Sequence, residues 1–120
     1  MSAVTMTMKT VAAVCAIATL ALSPLAVSLA QAQEATEIQL TYSKGQFQPN
    51  ELRASADKPI TLRLKNLDAK AMEFESKSLR VEKVVAANSE GVINVRAQKP
   101  GRYEFYDDFN EKARGALVVQ

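Results

Sequence analysis

From Glu37 onward the chain alternates in short runs. Glu37-Ile-Gln-Leu-Thr-Tyr42 is apolar at every second position, the pattern of a strand with one buried face. Ser43-Lys-Gly45 reads as a turn, and Phe47-x-Pro49-Asn50 as an irregular corner. Glu51 to Ala54 is a short strand before a turn at Ala56-Asp-Lys-Pro59. Ile60-Thr-Leu-Arg-Leu-Lys-Asn66 has the clearest two-residue period, with Ile60, Leu62 and Leu64 on one face. Phe74 falls on a further strand, and Leu79 to Val85 holds another. Val92 to Arg96, Arg102 to Tyr106 and Ala116 to Val119 complete the set, with turn signals at Asn88-Ser-Glu-Gly91 and Lys99-Pro-Gly101. Seven or eight short strands with hardly any helical periodicity predict an all-β sandwich.

The first residues follow a different rule. Met1 to about Thr10 is short and polar with one cation, Lys9; Val11 to Leu22 is an apolar run, and Ala30-Gln31-Ala32 is a small-x-small cleavage site. This layout predicts a secretory signal peptide over residues 1–32, followed by one domain over residues 33–120. The apolar run is short for a membrane span, so a retained anchor is the weaker alternative.

Setting the signal aside changes the chemistry on offer. The only cysteine, Cys15, lies in the apolar run, and the chain has no histidine. The domain therefore offers no disulfide, thiolate or imidazole, which excludes serine–histidine and cysteine–histidine catalysis. The 15 basic residues less Lys9 leave 14 against 13 acidic ones, so the domain is nearly neutral. No basic run points to nucleic acid.

Two segments resemble cupredoxins, the plastocyanin and azurin family. Gly101-Arg-Tyr-Glu-Phe-Tyr-Asp107-Asp-Phe-Asn110-Glu-Lys-Ala-Arg-Gly115-Ala-Leu-Val-Val119 is similar to the family's last hairpin. There Gly-x-Tyr-x-Phe-x-Cys leads through a histidine to Gly-x-x-x-Val. Leu62-Arg-Leu-Lys-Asn66-Leu-Asp-Ala-Lys-Ala-Met72-Glu-Phe74 is similar to the strand, loop and first ligand of that family. The resemblance implies a cupredoxin-like Greek-key β-sandwich. Aligned this way, Met72, Asp107 and Asn110 stand at the histidine, cysteine and second histidine positions, and the methionine position falls near Arg114. No type 1 copper centre is expected from such a set.

A narrower resemblance is carried by Phe47-x-Pro49-x-Glu51-Leu52, by Glu73-Phe-Glu75-Ser76 with Leu79-Arg-Val-Glu82-Lys83, and by Tyr103-x-Phe105-Tyr-Asp107-Asp-Phe109. These segments look like a periplasmic cupredoxin-like group that accompanies Ftr-type iron permeases, with related domains in EfeO-type iron-uptake proteins. That resemblance implies a periplasmic place, iron or copper as the ion, and an iron permease or another uptake component as partner.

The residues themselves point to oxygen-ligand chemistry, which suits Fe³⁺, Mn²⁺ and Ca²⁺ better than copper(I). Glu73 and Glu75 are two apart, so a strand presents both on one face. Asp107 shares the parity of Tyr103 and Phe105; if those two point into the core, Asp107 points inward with them, where a carboxylate must be paired, protonated or metal-bound. Asp108 and Glu111 are expected in the loop that closes the pocket. The candidate ligands are Asp107 and Asp108 first, then Glu73 and Glu75, with Met72, Asn110 and Glu111 secondary. The plainer alternatives are that Asp107 caps its loop through backbone N–H groups, that Met72 fills the core, and that the glutamates pair with Lys70, Lys77, Arg80 or Lys83. Three functions stay open: metal handling in iron uptake, a ferroxidase or electron-transfer component, and a metal-free interaction module. The missing imidazole and thiolate weigh against an enzyme.

Overall fold

The computed structural model describes residues 35–120, so the expected signal peptide lies outside the described residues. Nine strands form in chain order: β1 Thr36–Ser43, β2 Gln46–Gln48, β3 Glu51–Ala54, β4 Ile60–Asn66, β5 Met72–Ser76, β6 Val81–Val85, β7 Glu90–Val95, β8 Gly101–Asp107 and β9 Asn110–Val119. They make a four-stranded sheet ordered β2-β1-β4-β7 and a five-stranded sheet ordered β3-β9-β8-β5-β6. No helix occurs among the described residues. The cupredoxin-like β-sandwich expected from the sequence is the architecture observed.

The chain changes sheet between β1 and β4, passing through β3, so β1 and β4 lie parallel, from Thr36 opposite Ile60 to Tyr42 opposite Asn66. A parallel pair needs such a crossover, whereas a hairpin closes in two residues. The β1–β2 hairpin does close that way, with Lys44 at φ 54° and Gly45 at φ 68°. Positive φ at both central residues matches the right-handed twist of the flanking strands.

Three elements differ from the sequence reading. The corner around Phe47 contains a short strand, β2, because Phe47 inserts into the core and its neighbours pair with β1. Leu79 belongs to a turn rather than to β6; it is buried, and Arg80 at φ 58° ends the turn. The stretch expected as a loop after Asp107 is a tight turn at Asp108 and Phe109, and β9 starts already at Asn110.

The two sheets meet through alternating residues. Leu40, Leu62, Leu64, Phe74, Phe105 and Leu117 are each no more than 2% exposed. Four aromatic rings centre the core: Phe74 stacks on Phe105 at 4.9 Å, and Phe47 meets Phe105 edge-on at 5.0 Å and Tyr42 at 5.1 Å. Such pairs add about 0.5–1.5 kcal/mol each beyond the burial of their area. Gly115 makes room for this packing: a Cβ there would enter the Phe105 ring and lie 2.8 Å from the Asn50 carbonyl oxygen.

The strand directions give the sandwich two unlike ends. At one, the turns at residues 44–45, 67–71, 86–89 and 108–109 converge, joined by Leu67 N–H to Tyr42 O, Asn88 N–H to Asp68 O and Asp108 N–H to Glu73 O. At the other end lie residues 55–59, 77–80 and 96–100, joined in part by Asp57 N–H to Gln98 O.

Candidate metal centre

The inward alternation of β8 carries Phe105 and Asp107 into the sandwich, at 0% and 2% exposure. Asp107 is held there by three donors. Its Oδ1 accepts the Glu73 N–H at 2.9 Å and the Phe109 N–H at 3.0 Å, and its Oδ2 accepts the Tyr42 hydroxyl at 2.6 Å. The carboxylate thus joins β1, β5 and the β8–β9 turn. Tyr42 pays for this in acidity: burial, and then the hydrogen bond to Asp107, push its phenol up to about 12.

Two further polar side chains order the same end. Asn66, fully buried, donates Nδ2 to the Lys70 carbonyl at 2.8 Å and to Ala86 O at 3.2 Å, while its Oδ1 accepts the Asp68 N–H at 3.0 Å. Asp68 in turn accepts the N–H groups of Lys44 at 2.6 Å and Gly45 at 2.9 Å, closing the β1–β2 turn. Every loop at this end is tied through a side chain.

A type 1 copper ion requires two imidazoles and a thiolate. The positions that the resemblance aligns with those ligands hold Met72 and Asp107, both buried, and Asn110, which is exposed. Met72 is fully buried in the apolar core. Asp107 already spends both oxygens on protein donors. Asn110 begins β9 and lines an open cleft of about 480 Å³ with Tyr42, Asp107 and Phe109. These residues do not fit that copper ion.

The remaining candidates gather elsewhere. Glu73 and Glu75 project from the outer face of β5, opposite to Phe74, and Asp108 reaches the same place from the turn, with its N–H bonded to Glu73 O at 2.9 Å. One carboxylate oxygen from each of Glu73, Glu75 and Asp108 lies within 4.8 Å of the others. Glu82 on β6 stands opposite Glu75. The crowding shows in Glu73, which is 8% exposed. The Glu82 side chain, then burial, then the charges of Glu82, Asp108 and Glu75 push its carboxyl up to about 7. Tyr106 stands opposite Glu75 on β8 with Arg114 5.1 Å above its ring. Burial and then the Glu75 charge raise its phenol.

The expected ligand set is therefore divided. Asp107, Met72 and Asn110 belong to the interior end, and Glu73, Glu75 and Asp108 form a trio on the outer face. Glu111 is exposed on β9 and shares a groove with Tyr106 and Arg114 rather than with the trio. Sequence reasoning passed over Tyr42, Asn66 and Asp68 as parts of this end. One signal was available for Tyr42: it shares the inward parity of Leu40, and a buried hydroxyl requires a partner.

The sequence model of the cupredoxin-like domain matches residues 11–119. An uncharacterized protein of Rickettsia prowazekii (strain Madrid E) is 33% identical over 84 residues, covering 69% of this chain and 67% of that protein. Among solved structures, the metal-binding domain of the Cu(I)-exporting P-type ATPase CopA of Streptococcus pneumoniae D39, determined with Cu(I), superposes with a TM-score of 0.64 at 17% identity, covering 74% of this chain and 98% of that one. Auracyanin A, a blue copper protein of Chloroflexus aurantiacus, gives 0.61 at 18% identity, covering 72% of this chain and 100% of that one. At such identities the structures share the fold with this chain. Together with the sandwich and its match over most of the length, these findings place the chain in the cupredoxin-like domain family.

Proposed function

We propose that this chain is a periplasmic metal-handling protein that holds a cation through carboxylate oxygens in support of iron uptake. The observation that carries the reading is the approach of the Glu73, Glu75 and Asp108 oxygens to within 4.8 Å of one another. Like charges that close repel, and a multivalent cation between them relieves the repulsion. An all-oxygen donor set favours iron(III), manganese(II) or calcium over copper(I). The periplasmic place and the iron permease as partner rest on the sequence resemblance to the permease-associated group. Electron transfer through copper, or ferroxidase turnover, would need ligands from another chain.

A second reading, a metal-free interaction module, draws support from Asp107. Its oxygens are engaged by Tyr42, Glu73 and Phe109, so the interior holds together through hydrogen bonds.

Calorimetric titration of the exported protein tests both. Fe²⁺ without oxygen, chelated Fe³⁺, Cu²⁺ and Mn²⁺ are added in turn to the wild type, to Glu73→Gln with Asp108→Asn, and to Asp107→Asn. Micromolar or tighter binding that the double substitution removes and Asp107→Asn retains supports the outer site. Binding lost only with Asp107→Asn returns the metal to the interior. No heat with any ion favours the module.

A further inference from the structure

The end of the sandwich opposite the Asp108–Phe109 turn carries a group of cations. Lys58, Lys77, Arg80, Arg96 and Lys99 stand in its three loops, all exposed. Among the described residues none of the five is in an ion pair; the paired cations are Arg53, Arg63 and Arg102, which lie on strands. Asp57 is the one acidic side chain in the three loops, joined there by the last residue, Gln120, whose N–H bonds to Ala54 O. Between two of the loops runs a groove of about 630 Å³ lined by Ser78, Arg80, Asn94, Arg96 and Gln98.

We propose that this end docks on the surface of an anionic phospholipid bilayer. Three observations select that occupant. The first is charge: exposed cations presented together are drawn to anionic headgroups, each adding to the attraction within a Debye length. The second is the point at which the chain enters the fold. Thr36 starts β1 at this end, its N–H bonded to Pro59 O, so the chain enters the fold beside the cations. The third is the placing of apolar surface. The exposed large apolar residues Leu67, Val84, Val92 and Phe109 all lie outside these three loops, so contact here is electrostatic and reversible. Docked this way, the sandwich turns the Asp108–Phe109 turn and its neighbouring loops away from the bilayer. The proposal stands whether or not the carboxylate trio binds metal.

Co-sedimentation with vesicles tests it, using the protein as cells export it. Binding is compared on phosphatidylcholine alone and on phosphatidylcholine with phosphatidylglycerol. The wild type is set beside Arg96→Gln with Lys99→Gln, and beside Lys65→Gln with Lys70→Gln, an equal loss of charge away from this end. We expect binding only with the anionic lipid, falling steeply with salt. The first double variant should bind about 30-fold more weakly with an unchanged circular dichroism spectrum, and the second should bind as the wild type does. Equal binding to both lipids, no binding to either, or equal weakening by the two double variants overturns the proposal. So does release by inorganic phosphate but not by chloride of the same ionic strength, which would mark a small-anion site instead.

Discussion

The hydroxyl of Tyr42 on β1 donates to Asp107 Oδ2 on β8 at 2.6 Å, joining the two sheets. The other carboxylate oxygen binds backbone N–H groups from β5 and from the β8–β9 turn. One aspartate thus ties β1, β5 and the β8–β9 turn together at this end.

Removing the hydroxyl should therefore be felt. Tyr42→Phe leaves Asp107 Oδ2 buried without a donor, and loss of a hydrogen bond to a charged acceptor costs about 1.5–3 kcal/mol. Urea unfolding of the two proteins at pH 7 measures the difference. A change no larger than that of an exposed substitution would mean that water replaces the phenol.

The same pair sets a limit in alkali. The Tyr42 phenol titrates at about 12 in the folded protein against 10.0 ordinarily. Between those values the folded state binds more protons than the unfolded one, so stability is complete below about pH 10 and falls as pH rises toward 12. Ultraviolet titration of phenolate should show a late component that Tyr42→Phe removes.

Glu73 behaves in the same sense at lower pH. Its carboxyl keeps the proton to about 7 rather than 4.5, so its contribution is present below pH 4.5 and is lost as pH rises through 7. Glu82→Gln removes the leading cause and supplies a donor in its place. Carbon NMR of the Glu73 carboxyl should show its midpoint move toward 4.5 in that variant. An unmoved midpoint would assign the shift to burial and to the charges of Asp108 and Glu75.

Gly115 should tolerate no side chain. Gly115→Ala drives a methyl group into the Phe105 ring and toward the Asn50 carbonyl, and overpacking of this kind costs about 1–3 kcal/mol. Thermal unfolding by circular dichroism reads the loss; an unchanged midpoint would show that both the Phe105 ring and the Asn50 carbonyl can give way.

Much of the fold was legible along the chain because the side-chain period of a strand is local. Ile60, Leu62 and Leu64 announce β4 by themselves, and the parity from Tyr103 to Asp107 put a carboxylate inside before any contact was known. Glu73 and Glu75 were likewise assigned to one face, where they meet. What escaped were features that depend on partners. β2 is too short to declare a period, and the early start of β9 depends on a two-residue turn that Asp107 caps.

The sequence by itself determined the strand pattern and the chemistry available, a domain with carboxylates but no imidazole or thiolate. Tertiary structure decided how those groups are shared out. Asp107 and Asp108 are neighbours in the chain, yet the pleat sends one to Tyr42 and the other to Glu73 and Glu75. Near-neutral composition conceals five cations collected in the loops of one end and a carboxylate cluster on the outer face of β5. Both arrangements join residues far apart in sequence, through sheet order and loop position, and composition carries no record of either.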